Sequence, residues 1–202
     1  MKKKTCVHPR RAYNLMKNFL NNACTLEHTY MYRTLLNPHD KPTEWRFSDY
    51  IEDFESITIN LHKGDYFCAE SVDTVEDAEE GVLNIYYNFN ELNDEGAKLF
   101  RSHWTVKNPM LKGFANITLV LLHELGHLET TDEIRSTFSY FDREMTLIKL
   151  NQQYQDYTSL NNAYFDMPDE SAATNWGIKW LSNPENRKIA KAFEKKFFAC
   201  FE

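Results

Sequence analysis

Two histidines and a glutamate sit inside the most apolar run of the chain, LVLLHELGHLETTDE from Leu119 to Glu133. Burying imidazoles and a carboxylate is costly unless each finds a partner. His123, Glu124 and His127 are therefore either core polar groups satisfied by hydrogen bonds or the donors of a metal site. The spacing favours the metal. On a helix, residues four apart project from one face about one turn apart, so the two ring nitrogens reach a single zinc ion at about 2.0–2.1 Å each. Glu124 is rotated by one residue. It stands beside the ion without binding it, where it can take a proton from a water that the metal activates. Gly126 fits the same plan, because a missing side chain lets another element approach the helix closely. One Zn²⁺ per chain is the expected cofactor.

A catalytic zinc takes three protein ligands and keeps one position open. Thr130 and Glu133 stand where the metzincin extension would put Gly and His, so that extension is absent, and Glu133 remains only an alternative carboxylate ligand. The better placed carboxylate is Glu170 in MPDESAATNWGIKWL. Ala173, Trp176, Gly177 and Trp180 follow it on what would be the packing side of a helix, and a small residue one turn after the ligand lets two helices close around an ion. Thr174, at i+4, is placed to hydrogen-bond the outer nitrogen of a ligand histidine and hold its tautomer. The plain alternative for Glu170 is a first-turn carboxylate favoured by the helix dipole. Asp169 and Asp166 are the substitute ligands.

HELGH followed by ESAATNWGIKWL resembles the gluzincin plan, and most of all the ImmA/IrrE-type metallopeptidases of bacteria, phages and mobile elements. Those pair an H-E-[LI]-[GA]-H helix with a downstream helix of the form E-x-x-A-N-x-F-A-x-x-L-L. Here Glu170, Ala173, Thr174, Trp176, Gly177 and Leu181 occupy that pattern, with Thr174 where Asn is usual. The resemblance covers about residues 82–181. It implies a zincin-like α+β fold, with a small mixed sheet, a buried H-E-x-x-H helix and C-terminal helices. It also implies His123, His127 and Glu170 as ligands, Glu124 as general base, and proteolysis of a regulator, often a DNA-binding repressor.

Amide hydrolysis needs two further parts. One is a donor for the oxyanion of the tetrahedral intermediate, for which His103, Tyr140, Tyr154, Tyr157 and Tyr164 are the candidates. The other is a place for the substrate backbone. Zincins resemble one another in offering an edge strand, and the stretch Asn84 to Asn90, with Asn84, Tyr86 and Asn88 on one face, is the expected one. An interior strand is the alternative reading.

The elements that must position these groups follow from periodicity. Leu15, Phe19, Leu20, Ala23, Leu26 and Tyr30 recur at helical spacing between Ala12 and Leu36. Ile57, Ile59 and Leu61 alternate with polar residues before a turn at Lys63-Gly64-Asp65, and Leu83, Ile85, Tyr87 and Phe89 line one face of another strand. Asn108 caps a helix with Pro109 at its first position, and Met110 to Leu128 is apolar nearly all round, as a buried central helix is. Further helices are expected from Asp169 to Leu181 and from Glu185 to Phe201, the last with Ile189, Phe193, Phe197 and Cys200 on its stripe. The order of helix, strands and helices reads as one α+β domain over residues 1–202.

Composition narrows the partners. At 202 residues and 42% hydrophobic, the chain can enclose a substantial core. A net charge of −7 argues against direct nucleic-acid binding. The one basic cluster, Lys2, Lys3, Lys4, Arg10 and Arg11, reads as a solvated N-terminal tail over residues 1–11. No apolar run reaches the roughly 18 residues of a membrane span, and TCVHPRRAYN lacks the apolar core of a secretory signal. Cys6, Cys24, Cys68 and Cys200 form no C-x-x-C pair and read as free thiols of a cytoplasmic protein.

Three functions compete. A zinc peptidase acting on a protein or peptide explains the most residues. A catalytically idle scaffold working through protein contacts has no need for Glu124. A structural zinc site would have four closed ligands, rich in cysteine.

Overall fold

The computed structural model describes residues 8–23 and 95–200. Seven α-helices lie among them: α1 (Pro9–Ala23), α2 (Glu95–Lys107), α3 (Asn116–Arg135), α4 (Tyr140–Gln153), α5 (Tyr157–Phe165), α6 (Pro168–Ser182) and α7 (Pro184–Phe198). The described part is 86% helical and contains no strand. The expected α+β class with a small mixed sheet is therefore corrected: what is seen is a helical body. The alternating patterns around Ile57–Leu61 and Leu83–Phe89, which carried the sheet, lie outside the described residues, as do the edge-strand candidates Asn84, Tyr86 and Asn88.

The body is built around α3. Leu119, Val120, Leu121, Leu122 and Leu125 are all buried, so this helix has almost no polar face, in keeping with its apolar sequence. Its partner is α6. Gly126 explains how close the two run: a Cβ there would lie 2.5 Å from the Ala173 carbonyl oxygen, a contact that only backbone movement relieves. Gly177 plays the same part on α6, where a side chain would strike the indole of the fully buried Trp104. Gly126→Ala is thus expected to separate α3 from α6 and destabilise the fold by about 1–3 kcal/mol. Thermal unfolding measures that loss, and an unchanged melting temperature would refute the close approach.

On the far side, α1 and α7 pair across Phe19, which stacks on Phe193 at 4.5 Å between ring centroids and meets Trp180 edge-on at 5.7 Å. The buried stripe of α1 is Ala12, Met16, Phe19, Leu20 and Ala23, close to the one its periodicity predicts. The helix ends at Ala23, and the expected continuation to Leu36 lies outside the described residues. It starts at Pro9, so Arg10 and Arg11 belong to its first turn rather than to a tail; residues 1–7 are not described.

Helix boundaries differ in instructive ways. Asn108 does cap, accepting from the Met110 amide at 3.1 Å, but it caps a short 3-10 turn over Pro109–Gly113. The central helix begins afresh at Asn116 and runs to Arg135, beyond the expected Leu128. Its N-cap, Ala115, has only a methyl group and cannot accept from the amides of the first turn. Glu194 of α7 supplies the cap from 79 residues away, accepting from the Ala115 amide at 2.6 Å and the Thr118 hydroxyl at 2.8 Å. The first of these bonds satisfies an amide that the start of the helix would leave orphaned.

On α7, Phe193, Phe197 and Cys200 of the expected stripe are buried, and only its first member differs: Ile189 is exposed and Ala190 is buried in its place. On α6, Met167 rather than Asp169 is the N-cap, and Asp169 turns to a different partner described below. Helices α4 and α5 have no counterpart in the periodicity, because neither buries a residue and so neither carries an apolar stripe. Their caps were nonetheless written locally. Ser139 and Asp142 form a capping box, and Asp156 accepts from the Ser159 amide at 2.8 Å. Among the described residues no helix is long and apolar enough to cross a membrane.

Candidate metal centre

Helix α3 presents His123, Glu124 and His127, and α6 presents Glu170 and Thr174. His123, Glu124, Glu170 and Thr174 are buried, and His127 is only partly exposed. Glu170 Oε2 lies 3.0 Å from His123 Nε2 and 3.5 Å from His127 Nε2. One ligand atom from each of the three residues falls within 4.8 Å of the others. Two donors at about 2.0–2.1 Å from a tetrahedral zinc are roughly 3.3 Å apart, and the two separations from Glu170 Oε2 bracket that spacing. His123, His127 and Glu170 form a buried group that could hold a metal ion.

Neighbouring groups set the orientation. The Thr174 hydroxyl lies 3.1 Å from His123 Nδ1, on the side of the ring away from Glu170. Phe100 packs edge-to-face on the His123 ring at 5.6 Å, and Phe165 does so at 6.3 Å. The two histidine rings stand nearly perpendicular, 4.7 Å apart. These contacts leave His123 little rotational freedom.

Burial and charge pull the group apart electrostatically. Burial lowers the His123 pKa, and the hydrogen bond to Glu170 does not reverse it. Burial opposes protonation of His127 too, but there the Glu170 carboxylate wins through charge and hydrogen bonding, with Glu124 and Asp169 adding to it; the ring is pushed up to about 9. Glu170 is itself held well below the usual carboxylate range: burial works against its ionisation, and the charge of His127 and the hydrogen bonds from both rings outweigh it.

With no ion bound, the site therefore holds a protonated His127 at neutral pH. Without an ion, this His127–Glu170 pair stabilises the protein fully below about pH 6.5, down to the acid range in which Glu170 takes a proton, and its contribution fades as pH rises through about 9. A metal needs the neutral ring. Uptake of a divalent metal ion at pH 7.5 is expected to release about one proton, and affinity should fall as pH drops below 9, about tenfold per unit. Calorimetry in two buffers of different ionisation enthalpy reads the proton count, and a count near zero would contradict this.

The remaining sequence candidates separate by position. Tyr164 comes to the site, with its hydroxyl 3.3 Å from Arg143 Nη2; burial, then the nearby Glu170 charge, raise its pKa well above the usual tyrosine value. His103 of α2 packs on Phe165 at 5.2 Å between rings, and its pKa is lowered by burial and by Lys107. Tyr140 instead takes a hydrogen bond from Arg135, Tyr154 closes the end of α4, and Tyr157 is exposed. Of the alternative ligands, Glu133 and Asp166 are exposed and Asp169 pairs with Arg143. Cys200 is a free, buried thiol, and the other three cysteines lie outside the described residues.

Sequence reasoning missed Arg143. Its Nε donates to Asp169 Oδ2 at 2.7 Å and its Nη2 to Glu170 Oε1 at 3.3 Å. No motif marks it; the only local hint is the capping box that opens its helix.

No protein-family model, no curated protein and no solved structure matches this chain. The fold and site thus define a class only, a helical body around a buried pair of histidines and one glutamate.

Proposed function

We propose that the chain is a zinc-dependent metallopeptidase that hydrolyses peptide bonds with an activated water. One observation carries the reading: His123 and His127 of α3 share one oxygen of Glu170 from α6, and Glu124 is the next residue round the same helix. A structural site has no use for that glutamate. Zinc held by the three residues would supply Lewis-acid polarisation of water and of the scissile carbonyl.

The rest falls to the side chains. Glu124, buried beside His123, takes the water's proton and passes it to the departing amine. Tyr164 and His103, which both pack on Phe165 beside the triad, are the donors for the oxyanion. The resemblance of HELGH and ESAATNWGIKWL to ImmA/IrrE-type enzymes supports the same chemistry and rests on those two motifs.

Metal removal tests the reading. Cleavage of a diverse peptide library is expected to stop in a strong chelator and to return with about one equivalent of zinc. A protein that binds zinc yet cleaves nothing would instead be a scaffold acting through contacts with other proteins.

A further inference from the structure

The guanidinium of Arg143 lies where a cation is least expected, next to a site built to take another cation. Two of its nitrogens are used by the same short stretch of α6: Nε holds Asp169 Oδ2 at 2.7 Å, and Nη2 holds Glu170 Oε1 at 3.3 Å. The same Nη2 lies 3.3 Å from the Tyr164 hydroxyl. Core packing does not explain the placement, because Arg143 belongs to α4, none of whose residues is buried. What the contacts do is divide the Glu170 carboxylate. Oε1 faces Arg143 while Oε2 faces both histidines.

We propose that Arg143 is a positioning residue of the metal centre, which holds the outer oxygen of Glu170 so that the inner oxygen alone meets the ion, while Asp169 offsets its charge. The inference rests on the metal-site reading. Its physical content is a choice between two binding modes. A carboxylate free to turn presents both oxygens, which raises the coordination number and fills the position that a substrate water needs. A carboxylate with one oxygen engaged by a guanidinium that a second carboxylate fixes in place is restrained from turning. Asp169 is required because an uncompensated guanidinium would repel the metal.

Zinc affinity by chelator competition and the absorption spectrum of the cobalt-loaded protein test this on wild type, Arg143→Met, Arg143→Lys, Asp169→Asn and the Arg143→Met/Asp169→Asn pair. Arg143→Met is expected to weaken zinc binding by about 10–100-fold, the usual cost of losing a group that orients a ligand. Its cobalt spectrum should change from intense four-coordinate to weak five-coordinate absorption. Arg143→Lys, with the charge but not the fork, should fall between. Asp169→Asn should weaken binding when Arg143 is present and not when Arg143 is already Met. If Arg143→Met fails to fold, the Lys and Asn variants decide by the same readouts. Wild-type affinity and an unchanged cobalt spectrum in the variants would overturn the role of Arg143 and leave the metal centre standing. A wild type that binds neither zinc nor cobalt would overturn both.

Discussion

Glu170→Ala is expected to cost the protein its zinc at ordinary concentrations, with affinity falling by about a hundredfold or more. Zinc sites with four protein ligands bind with apparent energies of about 10–16 kcal/mol, or about 3 kcal/mol per donor, and every 1.4 kcal/mol is tenfold in affinity. Truncation at Glu170 removes a ligand atom and a compensating charge together. Its Oε2 is the atom both histidines share, at 3.0 and 3.5 Å, and its charge offsets that of the ion in a buried place. Glu170→Asp should lose less, because the shortened carboxylate can still reach through a small shift of α6. Glu133→Ala should bind zinc as wild type does, since Glu133 is exposed in the last turn of α3. Metal analysis after dialysis against a weak chelator separates the three. Zinc retained by Glu170→Ala and lost by Glu133→Ala would move the third ligand to the end of the central helix and end the comparison with ImmA/IrrE-type enzymes.

The second large effect falls on catalysis rather than binding. Glu124→Gln keeps the shape and most of the hydrogen-bonding capacity of the side chain but cannot accept a proton. Peptide cleavage should drop by about 10²–10⁴-fold, the range for loss of a general base, while zinc content stays at the wild-type level. Glu124 is 4% exposed, so an isosteric change is needed to keep the effect chemical; a smaller residue would open a cavity as well. Cleavage at the wild-type rate in a zinc-loaded Glu124→Gln protein would remove Glu124 from the mechanism.

What the sequence determined by itself was local. Four-residue spacing puts His123 and His127 on one side of α3, and the same geometry stacks Thr174 above Glu170 on α6, because a helix brings i and i+4 together whatever surrounds it. Gly126 announced a close approach without saying by what, since a missing side chain records only that space is needed. Apolar stripes marked α1, α3, α6 and α7, all of which pack into the core.

The docking of separate helices settled the rest. Ala173 is the backbone that Gly126 admits, and Glu194 of α7 caps a helix that begins 78 residues earlier. Arg143 reaches Glu170 from a helix that buries nothing and so leaves no periodic trace. Tyr164 lies at the site and Tyr140 does not, although the two are alike in sequence. Such pairings arise when separate helices dock, and their energies depend on distances between elements that no local pattern encodes. One-helix geometry is written in spacing; the meeting of two helices is written in how their surfaces fit.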